Sequence, residues 1–369
     1  MSVRLLSLSL EHFRSYPSLD IRLDAARDVH VFYGPNAAGK TNVLEAIGVL
    51  AYTKSFQGSD DAHLIRWGSD FCRIRGIAHL GDDEDVTLEC ALQSTPRRRK
   101  ACFRNDVSVP VSTMVGSLPI VQFLPQDLDL FRGAPQVRRA FLDRLLCQVS
   151  PEYFRSLLQF QKLLKQRNTL LRRVNADEAQ PEELAVWDAQ YAAQAARVTH
   201  ARLGLMEELQ EDLVDALASL GEQMPDATLA YRRHGIAQGL DALSEETVHL
   251  LQERRQRDIL LQATSIGPHR EDWQLSASER PFPSFASRGQ NRAALLSLIF
   301  LQVSFLDRHK GGNPVVLLDD VFSELDDAHQ SALLAHLSGM QVLLTSTHVP
   351  AQLHGAQVWR VDQGNVRQE

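Results

Sequence analysis

Gly34-Pro35-Asn36-Ala37-Ala38-Gly39-Lys40-Thr41 satisfies G-x-x-x-x-G-K-[ST] at every position. The residues before it, Val29-His30-Val31-Phe32-Tyr33, are a short apolar run of the buried-strand type. Those after it, Thr41 to Ala51, carry helical spacing. In a strand, glycine-rich turn and helix, backbone N–H groups can turn inward around phosphates, and the helix N-terminus adds free donors and a favourable dipole. Lys40 places a positive charge on the β- and γ-phosphates, and the Thr41 hydroxyl is a ligand for Mg2+. The stretch therefore predicts an α/β fold, with Gly34 to Thr41 and the adjoining Asn42 holding ATP.

Three further segments fit the same chemistry. Val315-Val316-Leu317-Leu318-Asp319-Asp320 is an apolar strand ending in two carboxylates. Paired with the phosphate loop, Asp319 is placed to bind the metal, through water, and Asp320 to polarise an attacking water. Ser287-Arg288-Gly289-Gln290 precedes the apolar helix Ala293 to Leu301, and offers a second anion-binding helix start that is equally a plain cap. Thr345-Ser346-Thr347-His348 follows a strong strand, and a histidine there can reach a γ-phosphate or its water.

Around these segments the pattern alternates between two kinds. Residues 1 to about 33 and 71 to 110 read as strands, the latter as Phe71 to Leu80 and Val86 to Leu92 around a turn at Gly81-Asp82-Asp83. From Gln136 to Arg173, from about Glu182 to Leu220 and from Glu245 to Thr264 the apolar residues fall at helical spacing, with a polar break from Asn175 to Pro181. Strand-like pattern returns after Gly267, with Pro314 to Asp319 and Val342 to Thr345 as strands and Ala328 to Leu337 as a helix. The expectation is one sheet built from both ends, with a helical block inserted: residues 1–124 and 266–369 as the α/β part, 125–265 as the insertion.

The bulk numbers are compatible with this. With 369 residues the chain is too long for one core. Its apolar runs fall far short of the ~20 residues of a membrane-spanning helix, and its start lacks the features of a secretory signal. Four scattered cysteines without a C-x-x-C pair suit a reducing cytoplasm. The net charge of −7 argues mildly against nucleic acid, but binding depends on local patches.

Taken in order, the four segments resemble the ABC-type ATPase heads, with Ser287 to Gln290 as the signature motif, His348 as the switch histidine and Ser323-Glu324-Leu325-Asp326 as the D-loop. More closely the chain is similar to the RecF family over essentially its full length. The resemblance is carried by Leu10-Glu11-His12-Phe13-Arg14-Ser15-Tyr16, the Gly34 to Thr41 loop, Pro125 to Gly133, Arg138 to Asp143, Gly267-Pro268-His269-Arg270 and Leu317 to Asp326. It implies a head related to those of the SMC proteins with a short helical, coiled-coil arm, ATP-dependent homodimerisation, and Ser287 of one copy reaching the ATP of the other. It also implies binding to DNA near single-strand/double-strand junctions or gaps, RecO and RecR as partners, and RecA loading in recombinational repair. Asp320 stands where most ABC ATPases have Glu, which implies slow hydrolysis acting as a timer. The Q-loop glutamine is Gln126 or Gln122, and Arg14 touches a phosphate by analogy.

For DNA phosphates the basic candidates are Arg97, Arg98, Arg99 and Lys100, then Arg138 and Arg139, and along the arm Lys162, Lys165, Arg167, Arg172 and Arg173. Two other functions compete. A transporter ATPase subunit inserts only a small helical subdomain between the positions of Lys40 and Ser287, and a metabolic P-loop kinase has no use for the signature and D-loop segments.

Overall fold

The computed structural model describes residues 2–58, 60–81, 85–350 and 352–369, so Asp82 and Asp83 of the expected turn lie outside the described residues. In chain order it opens with β1 (Arg4–Phe13), β2 (Tyr16–Arg22), β3 (Val29–Tyr33), α1 (Lys40–Tyr52), β4 (Phe71–His79), β5 (Asp85–Gln93), β6 (Arg99–Arg104), β7 (Val107–Val109), α2 (Val111–Met114) and β8 (Ile120–Phe123). The helical stretch follows: α3 (Pro135–Val149), α4 (Pro151–Asn175), α5 (Leu184–Ser219), β9 (Thr228–Arg232), α6 (Leu240–Leu261), β10 (Asp272–Ala277) and β11 (Arg280–Pro281). The chain closes with α7 (Arg288–Lys310), β12 (Val315–Asp319), α8 (Asp327–His336), β13 (Val342–Ser346), β14 (Gln357–Asp362) and β15 (Asn365–Gln368).

Two compact units result. One comprises Met1–Leu128, Asp215–Gln223 and Ser287–Glu369; the other comprises Asp129–Val214 and Met224–Ala286. The junctions expected at 124/125 and 265/266 thus compare with changes of unit after Leu128 and after Ala286. The second difference has a clear cause. The strands after Gly267 do not join the ATPase sheet: β10 pairs with β9 and β11 in a three-stranded sheet of their own.

The expectation of one sheet from both ends is corrected in the first unit, which holds two. An antiparallel sheet has the order β2-β1-β4-β5-β6-β7. A second, with the order β15-β14-β3-β13-β12-β8, draws on both ends of the chain and is parallel from β14 to β8. Helix α1 packs against strands of both sheets. Burial on all sides explains why Val43-Leu44-Glu45-Ala46-Ile47-Gly48-Val49-Leu50-Ala51, but for Glu45, is apolar all round and not striped. The parallel strands β12 and β13 begin with continuous aliphatic runs for the same reason, Val315 to Leu318 and Val342 to Leu344. Their register sets Asp319 opposite Thr345 and Thr345 opposite Phe32, so the carboxyl ends of three strands finish level. Ligands of parallel sheets bind at such an edge.

In the second unit, Leu170, Leu171, Val174, Leu184 and Ile259 form an apolar cluster among α4, α5 and α6. Arg167, named above as an arm cation for DNA, is fully buried there. It is paired with Asp188 at 2.8 Å and Asp258 at 2.9 Å, a structural role inside the bundle.

Candidate nucleotide-binding site

The loop from Gly34 to Gly39 leaves β3 at the level edge of the parallel sheet. The Gly34 N–H donates to the Ser346 carbonyl at 3.2 Å. A Cβ on Gly34 would lie 2.1 Å from the Val361 carbonyl oxygen, so only glycine passes there. Gly39, in a left-handed conformation with φ 106°, begins α1, and a Cβ on it would meet the Ser15 hydroxyl at 2.8 Å. Two tight turns brace the loop from outside. In the β1–β2 turn, Ser15 Oγ accepts from Asn42 Nδ2 at 3.0 Å, and next to it the Tyr16 hydroxyl donates to the Gly39 carbonyl at 2.9 Å. In the β14–β15 turn, the Gly364 N–H donates to the Ala38 carbonyl at 3.3 Å.

Inside the loop, Lys40 Nζ donates to the carbonyls of Gly34 (2.8 Å) and Pro35 (2.9 Å). Burial lowers the ammonium's pKa, against the carboxylates of Asp320 and Asp319, which hold it up. Thr41 Oγ1 donates to Asp319 Oδ1 and Oδ2 at 2.9 and 3.0 Å, and Thr345 Oγ1 donates to Asp319 Oδ1 at 2.6 Å. Burial raises the Asp319 carboxyl above its ordinary value, an effect these two hydroxyls partly offset. A buried carboxylate facing a hydroxyl is an oxygen-only donor set of the kind Mg2+ takes when phosphates supply its remaining ligands, so these residues fit that cation. Among the described residues no group of three or more His, Cys, Asp or Glu could hold a metal. Asp320 adopts a left-handed φ of 51°, its N–H donates to Thr345 Oγ1 at 2.9 Å, and its carbonyl accepts from the Ser323 hydroxyl at 2.7 Å.

The remaining expected residues have distinct placements. Arg14, at φ 50°, gives its guanidinium to fully buried Glu45 through two hydrogen bonds of 2.8 and 2.7 Å. That pairing anchors the Arg14 side chain to α1, the helix that the phosphate loop opens. Of the two glutamines, Gln126 is exposed on a short helical turn, whereas Gln122 is buried on β8 opposite Leu317, with neither amide atom hydrogen-bonded. His348 is exposed, with Nδ1 3.1 Å from the Thr347 hydroxyl.

Ser287 is the N-cap of α7. Its hydroxyl accepts the Gln290 N–H at 3.1 Å, while the Gln290 side chain accepts the Ser287 N–H at the same distance. This reciprocal box is the plain cap that the sequence allowed. Gly289 follows on the exposed first turn, and a Cβ there would meet nothing closer than Ser287 Oγ at 3.9 Å.

The basic candidates separate by burial. Arg138, with only 12% of its side chain exposed, makes two bonds to Asp272 (2.8 and 2.7 Å) and further bonds to the carbonyls of Leu130 and Gly133. Arg139 donates to the Glu271 carbonyl at 2.8 Å, and burial lowers its pKa. Arg138 is a correction, since Asp272 and neighbouring carbonyls take the donors that the sequence left for DNA, while Arg139 is anchored by one of its donors. In the first unit Arg98 pairs with Asp60 and Lys100 with Asp61, while Arg97 and Arg99 are exposed.

Sequence reasoning gave no role to Tyr16, Thr345 or Gly364. The Gln363-Gly364 pair does carry a signal, since both residues have positive φ in a two-residue hairpin.

A phosphate loop at the carboxyl edge of a parallel sheet, a buried acid on the next strand but one, and a capped signature helix in the same unit define an ABC-type P-loop ATPase head. The chain matches the family described as RecF/RecN/SMC N terminal domain over residues 4–365. It is 34% identical over 367 residues to the DNA replication and repair protein RecF of Heliobacterium modesticaldum, spanning 98% of both chains. A solved structure of the recombination mediator protein RecF-ATP in the RecFOR pathway superposes with a TM-score of 0.91 at 27% identity, covering all of this chain and 98% of that one. An SMC head domain from Pyrococcus furiosus, bound to the C-terminal domain of ScpA, shares the fold with a TM-score of 0.54 at 13% identity, over all of this chain and 96% of that one. The chain belongs to the RecF family.

Proposed function

We propose that this protein is an ATP-dependent DNA-binding ATPase of recombinational repair, in which bound ATP closes a homodimer on gapped DNA or on single-strand/double-strand junctions. The observation that carries the nucleotide part is the Thr41–Asp319 contact, which joins two motifs 278 residues apart in sequence at one point beside Lys40. Membership of a family whose relatives are named DNA replication and repair protein RecF supports the DNA part. No described helix is long and apolar enough to cross a membrane.

The loop N–H groups and Lys40 bind and orient the phosphates; Thr41 and Asp319 are the groups that would hold Mg2+. That ion, when bound, supplies a positive charge that polarises the transferring phosphoryl group. Asp320, at the mouth of the strand, orients the attacking water, with His348 on the neighbouring loop as its second polar partner. Its side chain is shorter than Glu and holds water less closely, which suits slow hydrolysis that times release. Ser287 keeps its own O–H free to donate while its oxygen caps α7. An exposed helix start with a free hydroxyl is fitted to a phosphate presented by a second copy. RecO, RecR and loading of RecA complete the proposal as what family membership supports; the chain's place of work is then the cytoplasm.

The test is binding to gapped, single-stranded and double-stranded DNA with and without ATP across a salt series, together with sedimentation of the protein with ATP, ADP and a non-hydrolysable analogue. ATP-dependent dimers and salt-sensitive DNA binding are expected. A monomer in the analogue, or a Lys40→Ala variant with unchanged ATP affinity, overturns the reading.

A further inference from the structure

The antiparallel sheet of the first unit turns one face to solvent, and that face is not flat. The cross-strand register aligns Phe71, Gln93 and Arg99 in one row, Arg73, Ala91 and Ala101 in the next, and Arg75, Glu89 and Phe103 in the third. Side chains of alternate residues share a face, so the two alanines form a floor between larger neighbours. The result is a concavity of about 520 Å³, walled by Phe71, Phe103, Arg73 and Arg99.

The segment that leads into its rim at Asp70 and Phe71 is unusual for this chain. Trp67, in the turn leading into β4, is 98% exposed. Isolating a tryptophan in water forgoes about 2 kcal/mol or more of burial. Arg73, Arg98, Arg99 and Lys100 line this concavity and the one that adjoins it, together with Asp60, Asp61, Asp70 and Glu89, and exposed Arg66 and Arg97 neighbour these segments in sequence. Arg98 and Lys100 are tied to Asp60 and Asp61, and Glu89 spans Arg73 and Arg75. Arg97 and Arg99 make no ion pair among the described residues.

The geometry points to a site for unpaired nucleic acid on this face, with bases lying against Phe71, Phe103 and Trp67 and phosphates held by Arg97 and Arg99. A pocket with a small-residue floor and aromatic walls takes a flat ring. Paired bases in a duplex are stacked on one another and cannot present that ring, so the chemistry selects a single strand. The inference rests on the DNA-binding reading above and adds to it the site and the form of strand.

The experiment measures anisotropy of labelled oligo(dT) and of a blunt duplex with the full-length protein and with Phe71→Ala, Phe103→Ala and Trp67→Ala, each checked for retained binding of an ATP analogue. Removal of one stacked ring costs about 1–3 kcal/mol, so oligo(dT) affinity should fall about 5- to 150-fold with duplex affinity unchanged. Unchanged oligo(dT) affinity in all three variants, with wild-type DNA binding intact, overturns the site and leaves the face to a protein partner. Equal losses for oligo(dT) and duplex overturn its selectivity for single strands. A wild type that binds no DNA of any form overturns the underlying DNA reading itself.

Discussion

The Thr41 hydroxyl bridges both oxygens of the Asp319 carboxylate, at 2.9 and 3.0 Å. The acid is buried, and burial holds its pKa above the ordinary 3.8. A raised folded-state value means that the protonated form favours folding; that contribution is full at low pH and is lost as pH rises through the folded value. A bound cation needs the opposite, ionised form. Thermal stabilisation by ATP with Mg2+ should therefore grow as pH rises through the Asp319 transition and shrink below it. Scanning fluorimetry with and without nucleotide, from about pH 5 to 8, measures this, and Asp319→Asn should flatten the profile.

Gly364 tests the brace behind the loop. Its φ is 81°, and a Cβ would lie 2.7 Å from the Ser15 carbonyl oxygen. Gly339 has nearly the same φ, 79°, with nothing within 4 Å. Alanine at either position carries the left-handed strain, about 1 kcal/mol. Only Gly364→Ala should also weaken nucleotide binding, by about tenfold. Equilibrium titration with a fluorescent ATP analogue separates the two; equal affinities would show that the hairpin is mere scaffold.

Ser287 combines a cap with a surface hydroxyl, and two substitutions pull these apart. Ser287→Ala should cost about 1 kcal/mol of stability through the lost cap. Ser287→Asp preserves the cap but sets a negative charge where a partner's phosphate would come, so stability should hold while the ATP-induced dimer disappears from sedimentation profiles.

For Arg138 the expectation is structural. Truncation to alanine strands Asp272 and several carbonyls, at a cost of about 3 kcal/mol. A lowered urea midpoint with unaltered DNA affinity in the folded variant is the expected pair of results; a selective loss of DNA binding would restore Arg138 to the interface.

These cases show what the sequence carried. The phosphate loop, the acids after β12 and the helix after Ser287 were legible because strand, turn and helix signals are local and their order is diagnostic. The sheets were less so. Strands β1 and β10 both alternate apolar and polar residues, yet one joins the antiparallel sheet and the other a separate three-stranded one, since pairing depends on partners far along the chain. Arg138 and Arg97 look alike in sequence. What separates them is Asp272, 134 residues from Arg138. Glu45 hides the same way: two sheets enclose its helix, and Arg14, 31 residues away, becomes its counter-ion.

Thr345 gives the site a mechanical property. Its single hydroxyl proton goes to Asp319, its oxygen takes the Asp320 N–H, and the Asp320 carbonyl in turn takes the Ser323 hydroxyl. The buried acid and the surface loop are thus links of one hydrogen-bonded chain with no slack. A shift of Asp319 toward an ion on Thr41 would strain each bond of this chain in turn, as far as Ser323 on the loop beyond Asp320.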